Sequence, residues 1–373
     1  MKSIAFGVSV TLVAVAALWA QKSQPRPAAK APSAGASITQ AVAKGAQWLA
    51  STQGQNGGWG QDGGETSYIR RDERLESNAN DVANTAVAAL ALLRAGKQYQ
   101  PNVDRAIGFI LQRVEASPND GLAITDVSGT QIQRKLGPYI DTFLTSRLFS
   151  EVEGTLSDRA LNARVRRALE KCVAKIQSNQ KSDGSWNISG GWAPVIGTSL
   201  AARSLYDAKQ KGVKVEDKVM ARADAYTVEA AKPVSAPAKG GAGGGFAAFS
   251  STAESAGVGL YQVAQALEQL SRTEADRKKN APQIAALKSQ LSNKSFVEGF
   301  GSIGGEEFFS YLNLSDGLKR AGGEDWTKWH SEITQKIVSL QNSDGTWAGH
   351  HCITGRVAVT SAAILNLTVD RAN

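Results

Sequence analysis

Three stretches of this chain share one spacing: Gln53 to Trp59 (QGQNGGW), Gln180 to Trp186 (QKSDGSW) and Gln341 to Trp347 (QNSDGTW). All read Q-x-x-x-G-x-W. A pattern that recurs within one chain marks a repeated supersecondary unit, and it limits the fold more tightly than composition does. Each copy follows a segment with an apolar face at helical spacing, at 38–50, 165–177 and 329–340. Each precedes a second helical segment rich in small residues, at 83–95, 198–208 and 357–368. Weaker copies fill the gaps. Asp120-Gly121-Leu122 lies between 107–114 and 139–152, Gly245-Phe246 between 219–231 and 257–270, and Gly299-Phe300 between 284–291 and 306–318. The turns therefore fall near residues 59, 122, 186, 246, 300 and 347, which makes six helical hairpins.

The two helices of each hairpin differ in kind. First helices are apolar on one side only, as with Ile333, Ile337 and Leu340. Second helices are apolar nearly all round, as in the run from Val82 to Leu93. A helix apolar on every side belongs in an interior, and its alanines let neighbours approach closely. Six outer helices around six buried inner ones describe an all-α fold, a closed α6/α6 toroid. At 42% hydrophobic residues, the chain has the core for it. No strand-like alternation competes. The toroid is expected as one domain over residues 38–373.

The N-terminus reads differently. Lys2 precedes an apolar run over 4–19, too short for the ~20 residues of a spanning helix. This fits a signal peptide at 1–20, with an uncleaved membrane anchor as the other reading. Residues 21–37, with Pro25, Pro27 and Pro32, read as a linker. The expected location is outside the cytoplasm, periplasmic or extracellular. Four of the 42 basic residues precede Ser37, where no acidic residue occurs, which leaves 38 basic against 34 acidic residues in the body. That balance is an ordinary solvated surface, so nucleic acid is not an expected partner. The two cysteines, Cys172 and Cys352, fall in units 3 and 6 of the ring, too far apart for the ~7 Å that a disulfide spans.

In its repeats and helical hairpins, the chain resembles the terpenoid cyclase and protein prenyltransferase superfamily of α6/α6 toroids, which includes the squalene cyclases. The resemblance implies that Gln53, Gln180 and Gln341 cap helix ends and that Trp59, Trp186 and Trp347 tie outer helices to inner ones. It also exposes departures. The D-x-D-D acid of class II cyclases and the D-D-x-x-D of class I enzymes are absent, and the zinc ligands of protein prenyltransferases are not reproduced. Where complement-like toroids carry Cys-Gly-Glu-Gln, this chain has Gly304-Gly305-Glu306-Glu307, so no thioester can form.

In a toroid of this kind the inner-helix N-termini gather on one face, the place for chemistry. Four of the six ends carry candidates. Glu306 and Glu307 beside His351 suit general acid–base work, against capping as the alternative. Asp81 and Asp141 are binding candidates, with capping again the simpler role for Asp81. Arg356, expected one helical turn after Cys352 on a buried helix, needs an acidic partner or an anionic ligand, and Glu306 is the natural internal partner. His350, His351 and Cys352 supply the imidazole and thiolate that zinc prefers, although no more than two of three successive helical residues can face one point.

Three functions follow. The toroid binds or transforms a small hydrophobic, isoprenoid-like substrate at the mouth; or it holds an envelope or other protein without chemistry; or it acts on polysaccharide through acidic pairs. Whether it is an enzyme stays open. An aromatic content of 7% is low for a cavity that steadies carbocations. An apolar cavity of a few hundred Å³ would favour the first reading, and a filled centre the second.

Overall fold

The computed structural model describes residues 34–64, 80–186, 193–230, 256–293, 297, 304–350 and 352–371. The signal and almost all of the linker assigned above lie outside these, as do the turns at 246 and 300. Among the described residues the regular structure is helical, with only two isolated β-bridges. None of these helices is long and apolar enough to cross a membrane.

Fourteen α-helices are described. The inner helices are α2 (Val82–Ala95), α5 (Ile140–Val152), α7 (Ala193–Gln210), α9 (Ala256–Leu270), α12 (Gly305–Ala321) and α14 (Arg356–Leu367). Each packs on the next in that order, and α14 packs on α2, which closes the ring. The outer helices are α1 (Ala34–Ser51), α3 (Gln100–Ala116), α6 (Arg159–Ser178), α8 (Asp217–Ala230), α11 (Ala281–Gln290) and α13 (Glu324–Ser339). Each leans on one or two inner helices, and α13 reaches α1 across the seam. The fold is an all-α toroid.

Two short helices break the alternation, α4 (Gln131–Leu136) and α10 (Glu274–Lys279). Six residues are too few for periodicity to reveal, but both open on a Thr capping box, at Thr130 and Thr273. The first helix also begins at Ala34, inside the segment read as linker. After Pro32 no proline restricts the backbone, so the helix runs four residues further toward the N-terminus than its apolar face suggests.

The repeated residues work as three copies of one joint. The indole N–H groups of Trp59, Trp186 and Trp347 donate to the carbonyls of Leu49, Ile176 and Ile337 at 2.9, 2.7 and 2.7 Å. Their backbone N–H groups donate to Thr85, Thr198 and Thr360 on the following inner helix, at 2.9, 3.1 and 3.0 Å. Each tryptophan thus pins the end of an outer helix to the start of an inner one. The glutamines reach sideways. Gln53, Gln180 and Gln341 each donate to the glycine carbonyl of their own turn. Each also donates to a carbonyl of the next outer helix: Asn102 at 2.9 Å, Val219 at 2.9 Å and Ala41 at 2.9 Å. The last of these links unit 6 to unit 1.

Gly57, Gly184 and Gly345 hold φ of 89°, 90° and 88°, a left-handed turn natural to glycine. At Gly184 a Cβ would also stand 2.2 Å from the Arg222 carbonyl oxygen. Unit 2 lacks the glutamine and tryptophan, and its tie runs in reverse. Lys175, buried in α6, donates back to the carbonyls of Asp120 and Gly121 at 2.9 and 3.0 Å.

Candidate functional site

The candidate carboxylates and the arginine lie at the N-terminal ends of α2, α5, α12 and α14, as the toroid requires. They form separate groups, not one constellation. Asp81 is the N-cap of α2, and its carboxylate accepts from the backbone and side-chain N–H groups of Asn84, both at 2.8 Å. Asp141 lies in the first turn of α5 and accepts from the Ala83 N–H at 3.0 Å and the Gln133 amide at 2.7 Å. Each is about 2% exposed. Burial pushes Asp81 up to about 6, against the lowering effect of its Asn84 bonds. Burial, and then the charge of Asp81, push Asp141 up to about 7.

The second group joins units 5 and 6. The Cys352 thiol lies beside the Glu306 carboxyl, and burial followed by that neighbour pushes the thiol up to about 12. A thiol held protonated in this way is a weak nucleophile. Glu307 accepts from the Gly304 N–H at 3.1 Å, and its own N–H donates to the Gly304 carbonyl at 3.2 Å. Its role is to cap α12. His350 is exposed, and His351 lies outside the described residues. Among the described residues, which leave out His351, no group of three or more His, Cys, Asp or Glu is placed to hold a metal.

Two expectations about unit 6 need correction. Cys352 is not on the helix: α14 begins at Arg356, and Cys352 sits in a left-handed conformation at φ 60°. Gly355 separates the two as the N-cap. Arg356 also does not pair with Glu306. Its Nε lies 3.4 Å from Asp62 and its Nη1 3.3 Å from Asp344, and its guanidinium stacks over Trp48 at 5.1 Å. Asp62 precedes Arg356 by 294 positions, in a turn that only ring closure brings near.

The mouth is bridged by hydrogen bonds between units 2 and 6. The Gln131 side chain accepts from the Thr354 and Gly355 N–H groups at 2.9 and 3.1 Å and donates to the Thr354 hydroxyl at 2.9 Å. From unit 1, the Gln61 carbonyl takes the Val357 N–H at 3.1 Å. A recess beneath, lined by Gln61, Asp81, Asn84, Gln131 and Gly355 among others, has room for about one water molecule. Along the axis, side chains from five of the six inner helices meet. Leu90, Leu144, Leu200, Phe309, Leu312 and Leu365, with Arg94, Arg147 and Asn313 also on its wall, surround a central cavity that has room for about one water.

Sequence reasoning missed a buried ionic network toward the C-terminal halves of the inner helices. Arg94 pairs with Glu151; Arg203 lies 2.9 Å from Asp207, 3.4 Å from Asp316 and 3.6 Å from Glu268; Arg320 lies 3.0 Å from Glu268. Burial alone would raise the Asp316 carboxyl, but Arg203, Arg147 and Arg94 together hold it below the ordinary range. The signal was there: Arg94, Arg147 and Arg203 each interrupt an otherwise apolar or small-residue helix. Arg94 also lies in the last turn of α2, where the macrodipole favours a cation.

Comparison with known proteins agrees with this architecture. The family model of the squalene-hopene cyclase C-terminal domain matches residues 29–125, the part holding α1, α2 and α3. A squalene--hopene cyclase of Bradyrhizobium diazoefficiens is 37% identical over 70 residues. That match spans 19% of this chain and 10% of the cyclase. The N-terminal part of this all-α toroid is similar to the squalene-hopene cyclases. The chain thus spans about a tenth of the length of the curated cyclase that it matches.

Proposed function

We propose that this chain is an exported binding toroid, a terpenoid cyclase-like scaffold that holds an envelope or other protein partner and cyclises nothing. The supporting observation is the filled axis. A cyclase needs a cavity of a few hundred Å³ for its substrate. Here Leu90, Leu144, Leu200, Phe309, Leu312 and Leu365 leave room for about one water. The catalytic groups argue the same way. The string D-x-D-D occurs nowhere in the sequence. The Asp81–Asp141 pair is sealed beneath the unit 2–unit 6 bridge, not displayed along a cleft as polysaccharide hydrolysis requires. Export rests on the N-terminal segment of residues 1–20.

Isothermal titration and product analysis with squalene and with an isoprenoid diphosphate test this reading. The expected result is no saturable binding and full recovery of unchanged substrate. A one-to-one complex with either compound, or its conversion to a cyclic product, would overturn the proposal.

A further inference from the structure

The Asp81–Asp141 pair poses a charge problem that the protein itself does not solve. The main influences on the two carboxylates are burial, the charge of Asp81 felt by Asp141, and neutral donors from Asn84, Ala83, Gln133 and the Asp141 backbone. No lysine or arginine stands among them. The starts of α2 and α5 supply about half a positive charge each. Two carboxylates therefore leave a deficit of about one charge or more in a buried place, where an isolated charge is costly.

A second observation points the same way. Asn84 is 4% exposed, and its side-chain N–H is spent on Asp81. Its carbonyl oxygen Oδ1 is buried and makes no hydrogen bond within the protein. Asn84 and Asp81 both line the recess at the mouth, together with Gln61, Thr130 and Gln131. These side chains offer oxygens, the donors a hard cation takes, while Ile132, Ile353 and Ala358 complete the wall and Asp141 lies outside it. The recess has the size of one water molecule, which suits a single small ion.

We propose that Asp81, Asn84 and Asp141 form a site for one hard divalent cation, Ca²⁺ or Mg²⁺, between the first two units of the ring. Asp81 and Asn84 contribute oxygens that face the ion, and Asp141 adds the second negative charge from the α5 side. A bound water is the competing occupant. It would satisfy Asn84 Oδ1 but would leave the charge in place. The ion is independent of the binding reading above, since it would brace the mouth in an enzyme and in a binding module alike.

Calorimetric titration of the full chain with CaCl₂ and with MgCl₂ at pH 8, after chelator treatment, tests this. Two variants serve as probes. D81N keeps an N-cap residue but removes one charge. N84A keeps both charges but removes the unsatisfied oxygen. One saturable site is expected in the wild-type chain, with the tighter of the two salts identifying the ion. The N84A variant should weaken it by about tenfold or more, and D81N should abolish it. Cooperative melting of both variants in chelator shows that they fold. No saturable binding of either salt to the wild-type chain at millimolar concentration overturns the proposal, and so does binding that both variants retain.

Discussion

Replacing Trp347 with alanine is expected to destabilise the chain by about 3–5 kcal/mol, the usual range for emptying a large buried aromatic site. The indole is fully buried, and its N–H donates to Ile337 at 2.7 Å. The ring also lies against Gly45 of α1, where even a Cβ would come within 2.8 Å of it. Trp347 therefore joins the last outer helix, the last inner helix and the first outer helix, and its loss opens the seam of the ring. Trp347→Phe keeps most of the area but leaves the Ile337 carbonyl with only the Leu340 N–H at 3.2 Å, which should cost about 1 kcal/mol. Urea unfolding gives both values from the shift in midpoint at constant slope. A cost under about 1 kcal/mol for the alanine variant would show that the seam does not depend on this joint.

The second large effect concerns pH. Asp81 is raised from 3.8 to about 6, and Asp141 from 3.8 to about 7. A carboxyl raised in the folded state binds more protons folded than unfolded between the two values. Stability contributed by the pair is therefore complete below about pH 4, falls as pH rises to about 7, and is flat above. Two units on Asp81 alone correspond to ~3 kcal/mol. The Asp81→Asn chain keeps an N-cap of equal quality and carries no such penalty. In chelator, the variant should match the wild-type chain near pH 4 and exceed it by ~2 kcal/mol or more at pH 8. Parallel stability profiles for the two chains would contradict the burial of this pair.

Most of the architecture is legible because the joints are local. Gln53, Gly57 and Trp59 lie within seven positions, and the physics of the turn acts over that span: a left-handed glycine, an indole aimed at the helix end, an amide aimed at the neighbour. The longer helices announce themselves by apolar periodicity, whereas α4 and α10 are shorter than two turns. The four inner-helix ends that carry candidate side chains were likewise legible, since alternation of outer and inner helices dictates which ends share a face. What each side chain does there was not. Arg356 finds Asp62 and Asp344 because the ring closes, and no spacing in the chain encodes that meeting. Glu306 and Cys352 are brought together by the packing of Gly305 and Gly349 against Ile353, where a Cβ on either glycine would come within about 2 Å of the Ile353 carbonyl oxygen. The volume of the axis depends on how leucines and a phenylalanine from five helices interlock, a property of packing and not of pattern.

A crystal structure under xenon pressure tests that last point, on which the functional account turns. Xenon enters apolar cavities that stay dry and are large enough to admit it. No xenon is expected among Leu90, Leu144, Leu200, Phe309, Leu312 and Leu365, and these side chains should remain in mutual contact. One or more xenon atoms along the axis would show an open apolar chamber, contradict the filled centre and restore a hydrophobic substrate as the leading reading.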